Sequence, residues 1–165
     1  MSSIYTKNDL LLTKITEFFK DTKAVHLMEK VITGNTVLSL RLLDWLVTNY
    51  SKKHSVNYGG INDLHSEYKN QLKAYSKKLF DPFCRRERID ISEFPIQTTI
   101  GQLNFFRWAI KNDVLKYATD NLHKIEEDMT KSLAGRKVTC KKRQRCVDNK
   151  SGFSRNCNEI LISFE

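Results

Sequence analysis

Ile61, Leu64, Tyr68, Leu72, Tyr75 and Leu79 fall three or four residues apart along nearly five helical turns, and only an amphipathic helix puts such a series on one face. Lys69, Lys73 and Lys77 recur every fourth residue on another face, so one side of this helix packs and another forms a lysine row. A stripe of that width needs partner helices, and the chain supplies them. Asn8 or Asp9 can cap a helix carrying Leu11, Ile15, Phe18 and Phe19 on one side. A second spans Thr22–Ile32 and ends at Thr33-Gly34-Asn35. Ser39 opens a third, in which Leu40, Leu43, Val47 and Tyr50 align while Leu42, Trp45 and Leu46 widen the apolar face; this is the expected central core helix. Thr98 or Thr99 caps a fourth partner, with Leu103, Phe106 and Ile110 on one face, Phe105 and Trp108 extending it and Asn112-Asp113 ending it. Residues 114–129 read as a last helix with a break near Asp120, followed by a basic loop.

Between these stripes lie turn and strand signals. Asn57-Tyr58-Gly59-Gly60 marks a turn, and Asp81-Pro82 stops the long helix because proline lacks the amide hydrogen that a helix interior needs. Ile89-Asp90-Ile91 alternates as a short strand or extended connection, and Ile160-Leu161-Ile162 suits a final strand. The expected fold class is therefore α+β and predominantly α: a compact helical domain with a basic C-terminal segment and a short terminal strand. At 165 residues one core is expected, with residues 1–134 as the helical body and 135–165 as the basic arm and closing strand of the same domain. Charged residues interrupt the first twenty positions, which predicts neither a signal peptide nor a membrane span, and hence a reducing compartment. There, Cys84, Cys140, Cys146 and Cys157 are expected as free thiols or metal ligands ahead of a disulfide framework.

The net charge of +9 is unevenly placed. Residues 1–130 hold 19 basic and 16 acidic groups, net +3, residues 131–157 hold nine basic groups against Asp148 alone, net +8, and the last eight residues carry two acids. Such concentration is the pattern of a local electrostatic site. Besides Lys131 its cations are the candidate binding residues Arg136, Lys137, Lys141, Lys142, Arg143, Arg145, Lys150 and Arg155. A second local excess covers residues 69–88, where Lys73, Lys77, Arg85, Arg86 and Arg88 are candidates for the same surface. Guanidinium groups grip phosphate or carboxylate through paired hydrogen bonds, so these arginines either contact an external anion or hold Asp and Glu side chains within the fold.

Three stretches carry a likeness: Val47-Thr48-Asn49-Tyr50-Ser51-Lys52-Lys53, residues 71–89 (QLKAYSKKLFDPFCRRERI) and residues 98–110 (TTIGQLNFFRWAI). They resemble a family of short uncharacterised proteins encoded by large cytoplasmic DNA viruses of the iridovirus and mimivirus kind, across roughly residues 38–118 and more weakly the closing strand. The resemblance implies a setting, the virion or the cytoplasm of an infected host cell, and brings no active site. Joined to the charge pattern, it leads to the expectation of a non-enzymatic viral accessory protein that binds nucleic acid through phosphate contacts with little base specificity, in genome packaging or viral transcription. The alternative is a structural virion component, such as a minor capsid protein, whose basic arm docks on acidic surfaces of neighbouring subunits. A solvated arm without a specific partner is the bland reading. No membrane partner is expected.

Catalytic chemistry finds little foothold. There is no glycine-rich phosphate loop, HExxH or GxSxG; Asp90 and Glu93 are a common kind of acidic pair, and His26, His54, His65 and His123 are scattered. Five residues separate Cys140 from Cys146 and ten separate Cys146 from Cys157, not the close pairing usual for zinc, and His123 or Cys84 would have to complete the set. No enzyme, metal site or cofactor is expected. Phe83, Phe105, Phe106 and Trp108 are core residues by their helical spacing, with base stacking as the sharper alternative.

Overall fold

The computed structural model describes residues 7–89 and 96–139. The elements in order are α1 (Lys7–Phe18), α2 (Thr22–Ile32), α3 (Leu40–Trp45), a π turn (Leu46–Tyr50), α4 (Ser51–His54), α5 (Leu64–Leu79), α6 (Ile100–Lys111), α7 (Val114–Asp120) and α8 (Leu122–Thr139). Local chemistry sets most boundaries. Asp21 accepts from the Lys23 amide at the start of α2, Ser39 from Leu42 at α3, Asp63 from His65 at α5 and Thr99 from Gln102 at α6. The first helix begins ahead of its expected cap, so Asn8 and Asp9 lie inside α1.

The apolar stripes meet in one core. Helix α6 runs through its middle, with every residue from Gly101 to Phe106 buried, and packs against α1, α2, α5 and α7. The rod formed by α3, the π turn and α4 lies in the same core, as expected: it buries Leu42, Leu43, Leu46, Val47 and Tyr50 and packs against α5 and α8. The π turn inserts an extra residue into that rod, and Val47, Tyr50 and Ser51 all reach the interior. Phe80, Phe105, Trp108 and Tyr68 form a linked aromatic centre, with ring centroids 5.5–6.2 Å apart.

Asn57-Tyr58-Gly59-Gly60 is a tight turn closed by reciprocal backbone bonds between Tyr58 and Ile61, with Gly59 and Gly60 at φ 62° and 81°. A Cβ on Gly59 would lie 2.5 Å from the Asn112 carbonyl oxygen, so the turn can press against the end of α6 only through a glycine.

Two helix boundaries are corrected. The long helix starts at Leu64, three residues after Ile61, because Asp63 caps it, and it breaks at Ser76, where φ 56° and ψ 170° are non-helical. The last helix does not give way to a loop after Met129: α8 continues through Thr139, so Arg136 and Lys137 belong to a helix. The β content among the described residues is limited to two isolated bridges, Tyr58 with Ile61 and Ile89 with Thr98, so this part of the chain is predominantly helical. The strand over Ile160, Leu161 and Ile162 lies outside the described residues. No described helix is long and apolar enough to cross a membrane.

Candidate nucleic-acid interface

The 80–89 loop carries three of the candidate arginines, and both its ends are tied to the start of α6. At one end, the Asp81 amide donates to the Gly101 carbonyl (3.2 Å), and Asn104 Nδ2 donates to the Leu79 carbonyl (2.8 Å). Gly101 makes this approach possible, since a Cβ there would sit 3.0 Å from the Lys78 carbonyl oxygen. At the other end the Ile89 amide donates to Thr98 (2.9 Å). Between them, buried Gln102 donates to the Pro82 carbonyl and accepts from Thr98 Oγ1, both at 3.0 Å. Buried amides and hydroxyls persist only when bonded, and here each bond holds a loop against a helix. The stretches 71–89 and 98–110 are thus two halves of one packed unit.

The arginines divide by partner. Arg85 lies against the Phe83 ring (4.3 Å to its centroid), and its Nε is 3.4 Å from Asp81 Oδ2. It also acts electrostatically on half-buried Asp44 of α3 and on Tyr68. Burial raises the Asp44 carboxyl above its ordinary value, with Arg85 and Lys77 opposing and Asp81 reinforcing. Burial, with Asp44 and Asp81 behind it, pushes the Tyr68 hydroxyl up to about 12. Arg85, though itself exposed, thus pairs with a carboxylate of the fold, one of the two roles that the sequence left open. Arg86 and Arg88 are exposed: Arg88 donates to the neutral Gln97 amide (3.0 Å), and Arg86 shares with Lys78 a recess of about 250 Å³ reaching Asn8, Glu87 and Thr99. Lys73 and Lys77 are exposed too, but the Ser76 break takes Lys77 out of the row with Lys69 and Lys73. None of Lys73, Lys77, Arg86 and Arg88 is in an ion pair among the described residues. Such charges can meet an external anion without first leaving an internal one.

Of the arm, Arg136 and Lys137 fall in the last turns of α8, whereas Lys141, Lys142, Arg143, Arg145, Lys150 and Arg155 lie outside the described residues. Asp128 fastens α8 to the body by accepting from Trp45 Nε1 and from Lys53 Nζ, both at 2.8 Å, and Lys53 also donates to Ser132 (2.8 Å). Burial alone would raise the Asp128 carboxyl, but these bonds from Lys53 and Trp45 outweigh it and hold the group below its ordinary value.

Phe105 and Phe106 are fully buried and closed to bases, as helical spacing implied. Phe83 is half-buried and covered by Arg85. Cys84 is a free thiol in the arginine loop; Cys140, Cys146 and Cys157, like Asp90 and Glu93, lie outside the described residues. His26, His54, His65 and His123 stand on α2, α4, α5 and α8, and no group of three or more metal-ligating side chains occurs among the described residues.

Sequence reasoning did not find a cleft of about 620 Å³ between α1, α5 and α6. Lys14, Glu17 and Phe18 line it from α1, Glu67, Gln71 and Tyr75 from α5, and Arg107, Trp108 and Lys111 from α6. Its signal was present as polar and aromatic residues three or four apart on each helix, but only packing brings the three rows together. An apolar recess of about 460 Å³ lies elsewhere, beside exposed Leu27 and Val37.

Comparison with known proteins adds a relationship to this geometry. The profile of a family of unknown function, DUF7197, matches residues 4–162. The chain is 41% identical to "Uncharacterized protein L507" of Acanthamoeba polyphaga mimivirus, in an alignment covering 93% of this chain and 63% of the mimivirus protein. The chain thus spans less than two thirds of that relative's length. No solved structure matches.

Proposed function

We propose, from the premise that the chain belongs to the DUF7197 family and has a relative in a large DNA virus, that it is a non-enzymatic viral accessory protein binding nucleic acid mainly through phosphate contacts. Genome packaging or virus-encoded transcription is the setting, in the virion or the infected-cell cytoplasm. The observation that carries the reading is the charge of residues 131–157, nine basic groups against one acid. Neutralising phosphates with that many cations releases condensed counterions, which drives binding regardless of base sequence. The charges of Arg86, Arg88, Lys73 and Lys77, in no ion pair among the described residues, support the same use of a second surface.

Fluorescence anisotropy on a random duplex and a random single strand across a salt series tests the proposal. The control variant changes Lys141, Lys142, Arg143 and Arg145 to Gln; cutting the chain within residues 122–139 would also shorten α8. Micromolar or tighter binding is expected, and the variant's log-log salt slope on duplex should be shallower by about 0.9 for each phosphate it no longer neutralises. Absence of binding at low salt overturns the proposal. Scrambling the order of those residues should leave phosphate binding intact, whereas a fitted dock on acidic neighbouring subunits, the arrangement of a minor capsid protein, would be abolished.

A further inference from the structure

The cleft between α1, α5 and α6 has a chemistry unlike the arginine loop. Phe18, Tyr75 and Trp108 bring one aromatic ring from each helix. Trp108 packs against Tyr68, Phe80 and Phe105 in the core, is 5% exposed, and holds a buried indole N–H with no hydrogen-bond acceptor among the described residues. That N–H is closed to solvent, so Trp108 offers the cleft ring surface and not the donor. Among the described residues Lys14 and Lys111 enter no ion pair, and Arg107 donates to the neutral Asn104 amide (2.9 Å) without an ion pair. Glu67 accepts from Gln71 (3.0 Å), so the amide oxygen and the carboxylates of Glu67 and Glu17 remain as acceptors for hydroxyl groups. The volume is that of small-ligand sites.

We propose that this cleft binds one nucleotide unit. Aromatic side chains suit a planar base, the Gln71 and Glu67 oxygens suit sugar hydroxyls, and Lys14, Arg107 and Lys111 suit the phosphate. The same chemistry is offered by a free mononucleotide and by an unpaired nucleotide of a strand. The site does not depend on the basic arm.

The test uses the full-length chain with Lys141, Lys142, Arg143 and Arg145 changed to Gln, so that failure of the arm reading cannot be mistaken for failure of this one. AMP and UMP are titrated by calorimetry and by ¹H–¹⁵N NMR, with the Trp108 indole resonance assigned by its disappearance in Trp108→Phe. Saturable one-to-one binding is expected, with the indole N–H resonance shifted by the ring current of a base held beside Trp108. Lys14→Glu and Lys111→Glu, both at exposed positions, should each weaken binding by about tenfold, as removal of a charge-assisted hydrogen bond predicts. A short single-stranded oligonucleotide that displaces AMP more tightly than UMP does assigns the site to a strand; equal or weaker displacement assigns it to the free nucleotide, and either result upholds it. The inference is overturned by absence of saturable binding, by binding that leaves the Trp108 resonance unmoved or ignores both lysine reversals, or by inorganic phosphate alone matching the nucleotides' affinity.

Discussion

Ser76 and Asp128 show how much rests on single side chains. At φ 56° and ψ 170° Ser76 occupies a region nearly reserved for glycine, and the compensation visible in the structure is a long bond from the Lys78 amide to its Oγ (3.4 Å). Ser76→Gly should raise stability by about 1 kcal/mol, the relief of strain exceeding glycine's greater unfolded-state entropy, read as a higher Tm. Asp128 works in the opposite sense. Its folded carboxyl titrates below the ordinary 3.8, so its contribution is present above that value and disappears as pH falls through the folded value. Asp128→Asn should cost about 1–2 kcal/mol at neutral pH through the weakened bonds to Trp45 and Lys53. Denaturant titrations of both proteins should converge on acidification below 3.8; a gap independent of pH would mean that the carboxylate charge is not what holds α8.

At the scale of elements, legibility followed the range of the responsible interaction. Ser39, Thr99 and the Asn57-Tyr58-Gly59-Gly60 turn were readable because a cap or a tight turn is decided within three or four residues. The Ser76 break was not, because apolar spacing continues through Leu79 and the departure coincides with the docking of residues 79–82 on α6. Gln102 and Asn104, polar residues inside an apolar stripe, carried no sign of their partners Pro82 and Leu79 twenty and twenty-five positions away. Gln102→Ala should leave the Pro82 carbonyl unmatched and cost about 2–3 kcal/mol in chemical denaturation, while the same change at exposed Gln97 should cost well under 1 kcal/mol. Arg85 could not be separated from Arg86 and Arg88 in sequence, since its role within the fold depends on Asp81 and on Asp44, which stands on a different helix.

For the whole molecule, α8 joins the folded body to the charged segment, and its anchorage at Asp128 lies eleven residues before the helix ends at Thr139. A chain ended after Glu127 forgoes the bonds to Trp45 and Lys53 and should melt markedly lower than one ended after Thr139. The helical character, the principal apolar faces, several boundaries and the concentration of positive charge were determined by the sequence alone, because periodicity, capping and net charge are local or additive properties. Tertiary structure decided that α6 packs against α1, α2, α5 and α7, that exposed Arg85 pairs with Asp81 while Arg86 and Arg88 enter no ion pair among the described residues, and that rows from α1, α5 and α6 line one cleft. Each of these depends on which distant segments share a surface, and burial and hydrogen-bond partners are assigned only when the faces meet.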